Sequence, residues 1–214
     1  MLTVWGRRSS SNVQAVLWGL TELEVPFERI DAGFRYGVTD TPAYRAMNPN
    51  GLVPTVKDGD DPPLWESGAI LRYLADRYAP EAFWPTDPAA RARIDMWAEW
   101  SKLNIAGRFT GPIFWRVVRT PPSKHNPYAI AAGVKSFETA LAIAEQRLAG
   151  QAHLASEEFT LADIQFGHCL YRYYDIAIER GRFSAVRRYY EALAERPAFR
   201  DCVMVSYDEL RASD

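Results

Sequence analysis

The spacing of apolar residues changes several times along the first eighty positions, a pattern typical of mixed α and β structure. Residues 2–5 predict a short strand, and residues 26–30 predict a second one. Between them, apolar side chains recur at the i, i+3, i+4, i+7 spacing of an amphipathic helix over about residues 13–24: Val13, Val16, Leu17 and Leu20. A helical crossover makes neighbouring strands parallel, so we expect a βαβ unit.

The start of this first helix has a sequence signal of its own. Ser11 and Gln14 have the S-x-x-Q spacing of a capping box, in which the serine oxygen accepts from a first-turn N–H and the glutamine reaches back. We therefore predict Ser11 as the N-cap. Ser10 would then lie one residue outside the helix, with its hydroxyl free to donate.

The remaining pattern divides the chain into two domains. Residues 53–57 and 64–65 flank a strong turn signal at 58–61, which predicts a hairpin, and Ser67 is predicted to cap a helix that ends near residues 78–80. Residues 1–80 thus have the βαβ-ββα order of an α/β domain. Residues 81–88 are rich in proline and turn formers and predict a linker. Every apolar pattern in residues 89–214 is helical, so an all-α bundle domain should follow.

Composition and charge exclude several classes of function. The 214 residues carry a net charge of −2, without the basic excess of a nucleic-acid binder, so we expect no nucleic-acid partner. No apolar run approaches the roughly 20 residues that span a bilayer, so we expect no membrane partner. The only cysteines, Cys169 and Cys202, fit no metal-ligand spacing. We expect no metal, and a reducing compartment such as the cytoplasm.

Three short motifs carry a family resemblance. Residues 48–54 (NPNGLVP) and 65–74 (WESGAILRYL), within the predicted thioredoxin-like order, resemble the glutathione site of cytosolic glutathione transferases. Residues 159–164 (FTLADI) resemble the capping box in the helical domain of that family, so the resemblance covers nearly the whole chain. Residues 10–13 (SSNV) are similar to the start of phi-type enzymes, and the complete pattern is most similar to bacterial theta- and phi-like, serine-type members.

The resemblance implies a homodimeric detoxifying enzyme that transfers the sulfur of glutathione to an electrophilic carbon. It assigns a cis bond to Val53-Pro54 and the backbone of Val53 to the cysteinyl unit, where an extended peptide can pair as at a strand edge. It assigns Glu66 and Ser67 to the γ-glutamyl end, at a helix N-terminus that favours anions. Members of the phi type tend to have a polar residue at the position of Leu52, which can hydrogen-bond to the peptide. Asn50 is a candidate to make that hydrogen bond to glutathione instead.

Three neighbouring residues, Ser10, Ser11 and Asn12, are candidates for activating the thiol. A free thiol titrates near 8.5, so a pKa of about 6.5 requires roughly 2.7 kcal/mol of thiolate stabilisation, which a hydroxyl donor and a helix N-terminus can supply. Ser10 matches the serine of the family motif, and we prefer it to Ser11 and Asn12. The alternative is that all three residues only form the turn and the cap.

The electrophile site is predicted from charge. Residues 101–136 contain no acidic residue but six cations: Lys102, Arg108, Arg116, Arg119, Lys124 and Lys135. Arg108 and Arg116 are near the aromatic residues Phe109 and Trp115, and we predict that these four line a pocket with Arg7 for a small anionic or halogenated electrophile. The competing explanation is a solvated helix face or a dimer contact.

Two other functions are compatible with the same fold. The chain could be a glutathione-dependent disulfide reductase, with glutathione supplying the sulfur chemistry, since no cysteine lies near Ser10 in the sequence. It could also be a non-catalytic glutathione-binding module. Activity measurements distinguish these from conjugation.

Overall fold

The computed structural model describes residues 1–214, and its first domain is built on one mixed sheet. Four strands lie in the order β2-β1-β3-β4: β1 Leu2–Trp5, β2 Phe27–Ile30, β3 Thr55–Asp58 and β4 Leu64–Trp65. Strand β1 pairs parallel with β2 and antiparallel with β3, which pairs antiparallel with β4. The predicted parallel pair and the predicted hairpin are both confirmed.

Three helices complete this domain: α1 Ser11–Glu22, α2 Pro42–Met47 and α3 Ser67–Tyr78. Helix α1 connects the parallel strands β1 and β2, and α3 follows the hairpin. Because α1 is packed on both sides, eight consecutive residues from Val13 to Leu20 are buried. This arrangement is the predicted thioredoxin-like βαβ-ββα order.

The second domain is entirely helical, as predicted. Its helices are α4 Pro88–Trp100, α5 Gly107–Phe109, α6 Arg116–Val118, α7 Pro127–Leu148, α8 Leu161–Gly167, α9 Leu170–Asp175, α10 Ser184–Ala194 and α11 Pro197–Cys202. Two π-helical segments, Ser101–Ala106 and Thr110–Trp115, join α4, α5 and α6 into one nearly continuous rod. Segments of this wider helix are uncommon and often occur at functional sites.

Two predicted helix starts were wrong by one residue. Ser10, not Ser11, is the N-cap of α1, because the backbone of Ser10 is extended and its carbonyl already accepts from the N–H of Gln14. The amide of Gln14 donates to the carbonyl of Arg8 at 2.9 Å, so no capping box forms. Likewise Glu66 is the N-cap of α3, and Ser67 is its first helical residue.

The two domains share one hydrophobic core. Trp18 on α1 packs edge-on against Phe199 of α11, with ring centroids 4.9 Å apart, and also contacts Phe159. Phe83 and Trp84, in the segment between α3 and α4, are buried in the same core. We expect this continuous packing to hold the helical domain in a defined position over the sheet domain.

A buried polar cluster fixes the start of α8 in that core. Asp163 accepts from the N–H of Thr160 at 2.8 Å, from the N–H of Leu154 at 2.9 Å and from the hydroxyl of Tyr189 at 2.8 Å. The hydroxyl of Thr160 accepts in turn from the N–H of Ala162, which completes the predicted capping box. The fully buried carboxylate is therefore surrounded by donors, and its role is structural.

Candidate active site

Ser10 lies at the N-terminus of α1, where strand β1 has turned into the helix. Its hydroxyl makes no capping hydrogen bond, and the first turn of α1 contains no acidic residue. Because the cap is unused, the first-turn N–H groups and the positive end of the helix dipole are left uncompensated. An anion beside Ser10 would meet a hydroxyl donor and this helix end together.

The other two candidates for the activating residue differ in their contacts. Ser11 is the first residue of α1, and no hydrogen bond forms at its hydroxyl. The side-chain oxygen of Asn12 accepts from the amine of Lys102 at 3.0 Å. Asn12 is thus engaged with a side chain of the helical domain, whereas the hydroxyls of Ser10 and Ser11 are free.

The loop before β3 presents an open peptide edge. The Val53-Pro54 peptide bond is cis, as predicted, and neither the N–H nor the C=O of Val53 bonds to another backbone group. The preceding carbonyl, that of Leu52, is held by the hydroxyl of Tyr44 at 2.7 Å and by the amide of Asn48 at 2.9 Å. This buried support leaves Val53 as the place where an extended ligand can pair with the chain.

Asn48 and Tyr44 were not predicted as supports, although Asn48 belongs to the NPNGLVP motif. Both side chains also bond the hydroxyl of Thr55, at 2.8 Å from Tyr44 and 3.1 Å from Asn48. Asn50 folds back instead, donating from its amide to the side-chain oxygen of Asn48 at 3.1 Å. The amide of Asn50 is therefore occupied inside the loop.

Glu66 and Ser67 lie at the N-terminus of α3. Glu66 is exposed and has a positive φ of 69°, a conformation that non-glycine residues adopt only under local constraint. The side chain of Ser67 is buried, and its hydroxyl accepts from the amine of Lys102 at 2.7 Å. The same lysine therefore joins the N-terminal turns of α1 and α3.

The segment before Ser10 is anchored from the helical domain. Arg172 of α9 donates to the carbonyl of Ser9 at 2.6 Å while its guanidinium lies 4.6 Å from the ring centroid of Phe114. Arg172 is 3% exposed, and burial lowers its pKa to about 10. It remains a cation at neutral pH, and no carboxylate lies within ion-pair distance of it.

A second pair of cations meets at an exposed aromatic ring. The guanidinium of Arg7 lies 5.6 Å from the ring centroid of Phe34, and that of Arg119 lies 5.5 Å from the same centroid. Burial, followed by the neighbouring Arg119, lowers the pKa of Arg7. Arg119 also stacks on Trp115 at 5.1 Å. Neither arginine forms an ion pair, although the charge of Glu209, which is paired with Arg35, raises the pKa of Arg7.

This cluster adjoins Val53. A Cβ atom placed on Gly33 would lie 3.1 Å from a terminal nitrogen of Arg7 and 3.3 Å from a methyl group of Val53. Gly33 therefore allows both side chains to approach the same point. The arginine cluster and the open peptide edge are neighbours in the fold.

The other predicted electrophile-site residues lie elsewhere. The ring of Phe109 is buried in the core against Phe137 and Tyr173, so it does not line an open pocket. Arg108 donates to the carbonyl of Ser136 and to the side chain of Asn104. Arg116 is exposed and makes no ion pair. Of the predicted set, Arg7 and Trp115 are brought into one cluster only through Arg119, which contacts Trp115 and shares the ring of Phe34 with Arg7 and was not among the predicted site residues.

No group of three or more histidine, cysteine, aspartate or glutamate side chains is arranged to hold a metal ion. No helix has the length and apolar character required to cross a bilayer.

Comparison with known proteins identifies the family. Residues 1–76 match the glutathione S-transferase N-terminal domain, and residues 127–192 match the glutathione S-transferase C-terminal domain. The chain belongs to the glutathione S-transferase family. It is similar to glutathione S-transferase GstB of Escherichia coli K12, with 38% identity over 206 residues, 96% of this chain and 99% of that protein.

Further relatives agree with this assignment. Glutathione S-transferase 3 of Zea mays is 32% identical over 213 residues, which cover 94% of this chain and 93% of the maize protein. Among solved structures, the theta class glutathione S-transferase of Xanthomonas axonopodis pv. citri, with glutathione bound, superposes with a TM-score of 0.90. It is 43% identical and covers 96% of this chain and 98% of its own. The chain is accordingly a glutathione S-transferase.

Proposed function

We propose that glutathione binds along the open peptide edge of Val53 and that Ser10 activates its sulfur for attack on a small electrophile. The observation that carries this proposal is the free hydroxyl of Ser10 at the uncapped N-terminus of α1. A thiolate there gains a hydroxyl donor and the helix dipole, both of which act more strongly on the charged form than on the thiol. The solved theta class relative from Xanthomonas has glutathione bound, which supports a glutathione site in this fold.

In this proposal the peptide runs between the two helix N-termini. Its cysteinyl unit pairs with the N–H and C=O of Val53, which have no other backbone partner. Its γ-glutamyl end reaches Ser67 and Glu66 at the start of α3, where a carboxylate is favoured by the helix N-terminus and an ammonium by Glu66. The sulfur then lies near Ser10.

The electrophile is proposed to be a small anionic molecule, such as a halogenated acid. Arg7 and Arg119 converge on Phe34 without a carboxylate partner, and Trp115 adds a half-exposed apolar surface. Two guanidinium groups can bind a carboxylate through charge-assisted hydrogen bonds, while the aromatic rings cover the carbon skeleton. Because Gly33 brings Arg7 close to Val53, the bound acid would be near the glutathione sulfur.

Two further features bear on the assembly of the protein and on its cellular compartment. Large apolar side chains are exposed on α4, on the π-helical segment after it, and on the hairpin side of the first domain: Met96, Leu103, Leu52 and Trp65. We expect them to be covered in a homodimer, as in the family. Cys169 and Cys202 are unpaired, which suits a detoxifying enzyme of the cytoplasm.

One set of assays tests this function against its alternatives. Purified protein is examined for retention on immobilised glutathione, for conjugation of an aryl halide and a halogenated acid, and for reduction of a hydroxyethyl disulfide. Conjugation supports the proposal. Disulfide reduction without conjugation would favour a reductase that uses glutathione alone, because burial raises the pKa of Cys169 to about 12 and keeps that thiol protonated. Retention without turnover would indicate a binding module.

A further inference from the structure

Lys102 is a half-buried cation that forms no ion pair, although the charge of Glu66 raises the pKa of its amine. Its amine donates to the side-chain oxygen of Asn12 at 3.0 Å and to the hydroxyl of Ser67 at 2.7 Å, two neutral acceptors. No carboxylate lies within ion-pair distance. Glu99, the acid nearest along the same helix, is paired with Arg72 at 2.6 Å. Burial, the largest influence on the amine, lowers the pKa of Lys102.

The location of Lys102 adds to this imbalance. Asn12 is in the first turn of α1 and Ser67 begins α3, and neither helix has an acidic residue in its first turn. The N-terminal end of each helix carries a partial positive charge of about half an elementary charge. The carboxylate of Glu66, the N-cap of α3, raises the pKa of Lys102 but lies outside ion-pair distance. A partly desolvated ammonium between two such ends therefore gains from an added anion.

The lysine reaches this place because of the helix that carries it. Lys102 is the second residue of the π-helical segment Ser101–Ala106, which widens the long rod where it passes the sheet domain. The cation is therefore supplied by the helical domain, across the joint between the two domains, to a site otherwise formed by the first domain.

We infer that Lys102 binds the α-carboxylate of the γ-glutamyl unit of glutathione, together with the hydroxyl and N–H of Ser67. This inference rests on the proposed glutathione site. The γ-glutamyl end is a zwitterion, and the structure offers charges of both signs beside Ser67: the ammonium of Lys102 and the exposed carboxylate of Glu66. The third proton of the Lys102 amine has no partner within the chain and is available to the ligand. Lys102 thereby makes binding of the peptide depend on the helical domain.

The test compares glutathione with two analogues by calorimetry. One analogue, 4-aminobutyryl-cysteinyl-glycine, lacks only the γ-glutamyl α-carboxylate; the other, glutaryl-cysteinyl-glycine, lacks only the α-ammonium. Lys102→Gln retains an amide donor for Asn12 and Ser67 but removes the charge. Lys124→Gln, at an exposed residue of the short 3-10 helix Pro122–Lys124, is the matched control. Thermal melting confirms that each variant is folded.

We expect Lys102→Gln to weaken binding of glutathione and of the deaminated analogue about 10- to 100-fold, the range for a hydrogen bond to a charged group. Binding of the decarboxylated analogue should change less than about 3-fold, because its missing carboxylate is the partner of the lysine. Lys124→Gln should bind all three ligands like the wild type.

Two results would overturn the inference. Equal losses for glutathione and the decarboxylated analogue would show that Lys102 does not contact the carboxylate. Unchanged affinity, with a raised pKa of the bound thiol, would place the lysine at the sulfur instead. Failure of the wild type to bind glutathione would contradict the proposed function itself, which distinguishes the two claims.

Discussion

The guanidinium of Arg172 donates to the carbonyl of Ser9 at 2.6 Å, across 163 positions of sequence. The arginine lies on α9 in the helical domain, and the carbonyl immediately precedes Ser10. A nearly fully buried cation thus holds the backbone from which the proposed thiol-activating hydroxyl projects. The position of Ser10 depends on both domains, although Ser10 belongs only to the first.

Arg172→Met should lower turnover more than stability. The methionine can fill the space over Phe114, and replacing a buried charge by an apolar group of similar volume often changes stability little. The carbonyl of Ser9 loses its donor, so the Ser10 segment can shift, and displacements of about 1 Å can cost up to 100-fold in rate. We expect kcat/KM for conjugation to fall about 10- to 100-fold, measured beside the melting temperature. Normal turnover with a strongly lowered melting temperature would show a purely structural role.

Arg119 should determine a preference for acidic electrophiles. Rates with a halogenated acid and with its neutral amide are compared in the wild type, in Arg119→Met and in Arg116→Met. Loss of a charge-assisted hydrogen bond costs about 1.5–3 kcal/mol, so the preference for the acid should fall about 10- to 100-fold in Arg119→Met. Arg116 is exposed and unpaired on the same rod and serves as the control. A preference lost only in the Arg116 variant would reverse the assignment.

The buried His168 should make the fold sensitive to acid. Burial lowers the pKa of His168 to about 3, with Lys102 as the next contribution, against about 6.5 in an unfolded chain. As the pH falls from 6.5 toward 3, His168 is protonated in the unfolded state but stays neutral in the folded state. The free energy of unfolding therefore decreases over this range. Between pH 7 and pH 5 this residue should account for about 2 kcal/mol.

This prediction is checked by comparing the pH dependence of unfolding in the wild type and in a variant without His168. Unfolding free energies of the wild type and of His168→Gln are measured at pH 7 and pH 5, so that the contributions of His125 and His153 cancel. The variant should lose about 2 kcal/mol less than the wild type over this interval. An equal loss in both proteins would mean that His168 is protonated in the folded state.

Features that depend on local sequence were predictable. The order of strands and helices and the capping box of Thr160 and Asp163 arise from local patterns, whereas the cis bond at Val53-Pro54 was expected from the family resemblance. Ser11 was wrongly predicted as the N-cap because Gln14 is drawn into the core and bonds the carbonyl of Arg8. Burial of the Gln14 side chain and its bond to the Arg8 carbonyl thus replaced the capping box that the spacing indicates.

The contacts that complete the site were not predictable from spacing. Lys102 and Asn12 are 90 positions apart, and no local pattern connects them. Phe109 was predicted in the electrophile pocket but lies in the core, since the π-helical segments on either side of it alter the register on which a 3.6-residue period depends. Arg119 follows Trp115 by four positions, and this i, i+4 cation–aromatic pair was the available signal.

Titration of the thiolate absorbance of bound glutathione in the wild type, Ser10→Ala and Ser11→Ala tests whether Ser10 activates the thiol. The Ser10 hydroxyl is expected to act on the sulfur and not on peptide recognition. We expect the pKa of the bound thiol to rise toward about 8.5 only in Ser10→Ala, with the dissociation constant of glutathione nearly unchanged. Identical titrations in the wild type and Ser10→Ala would contradict it, and a shift confined to Ser11→Ala would transfer the role to that residue.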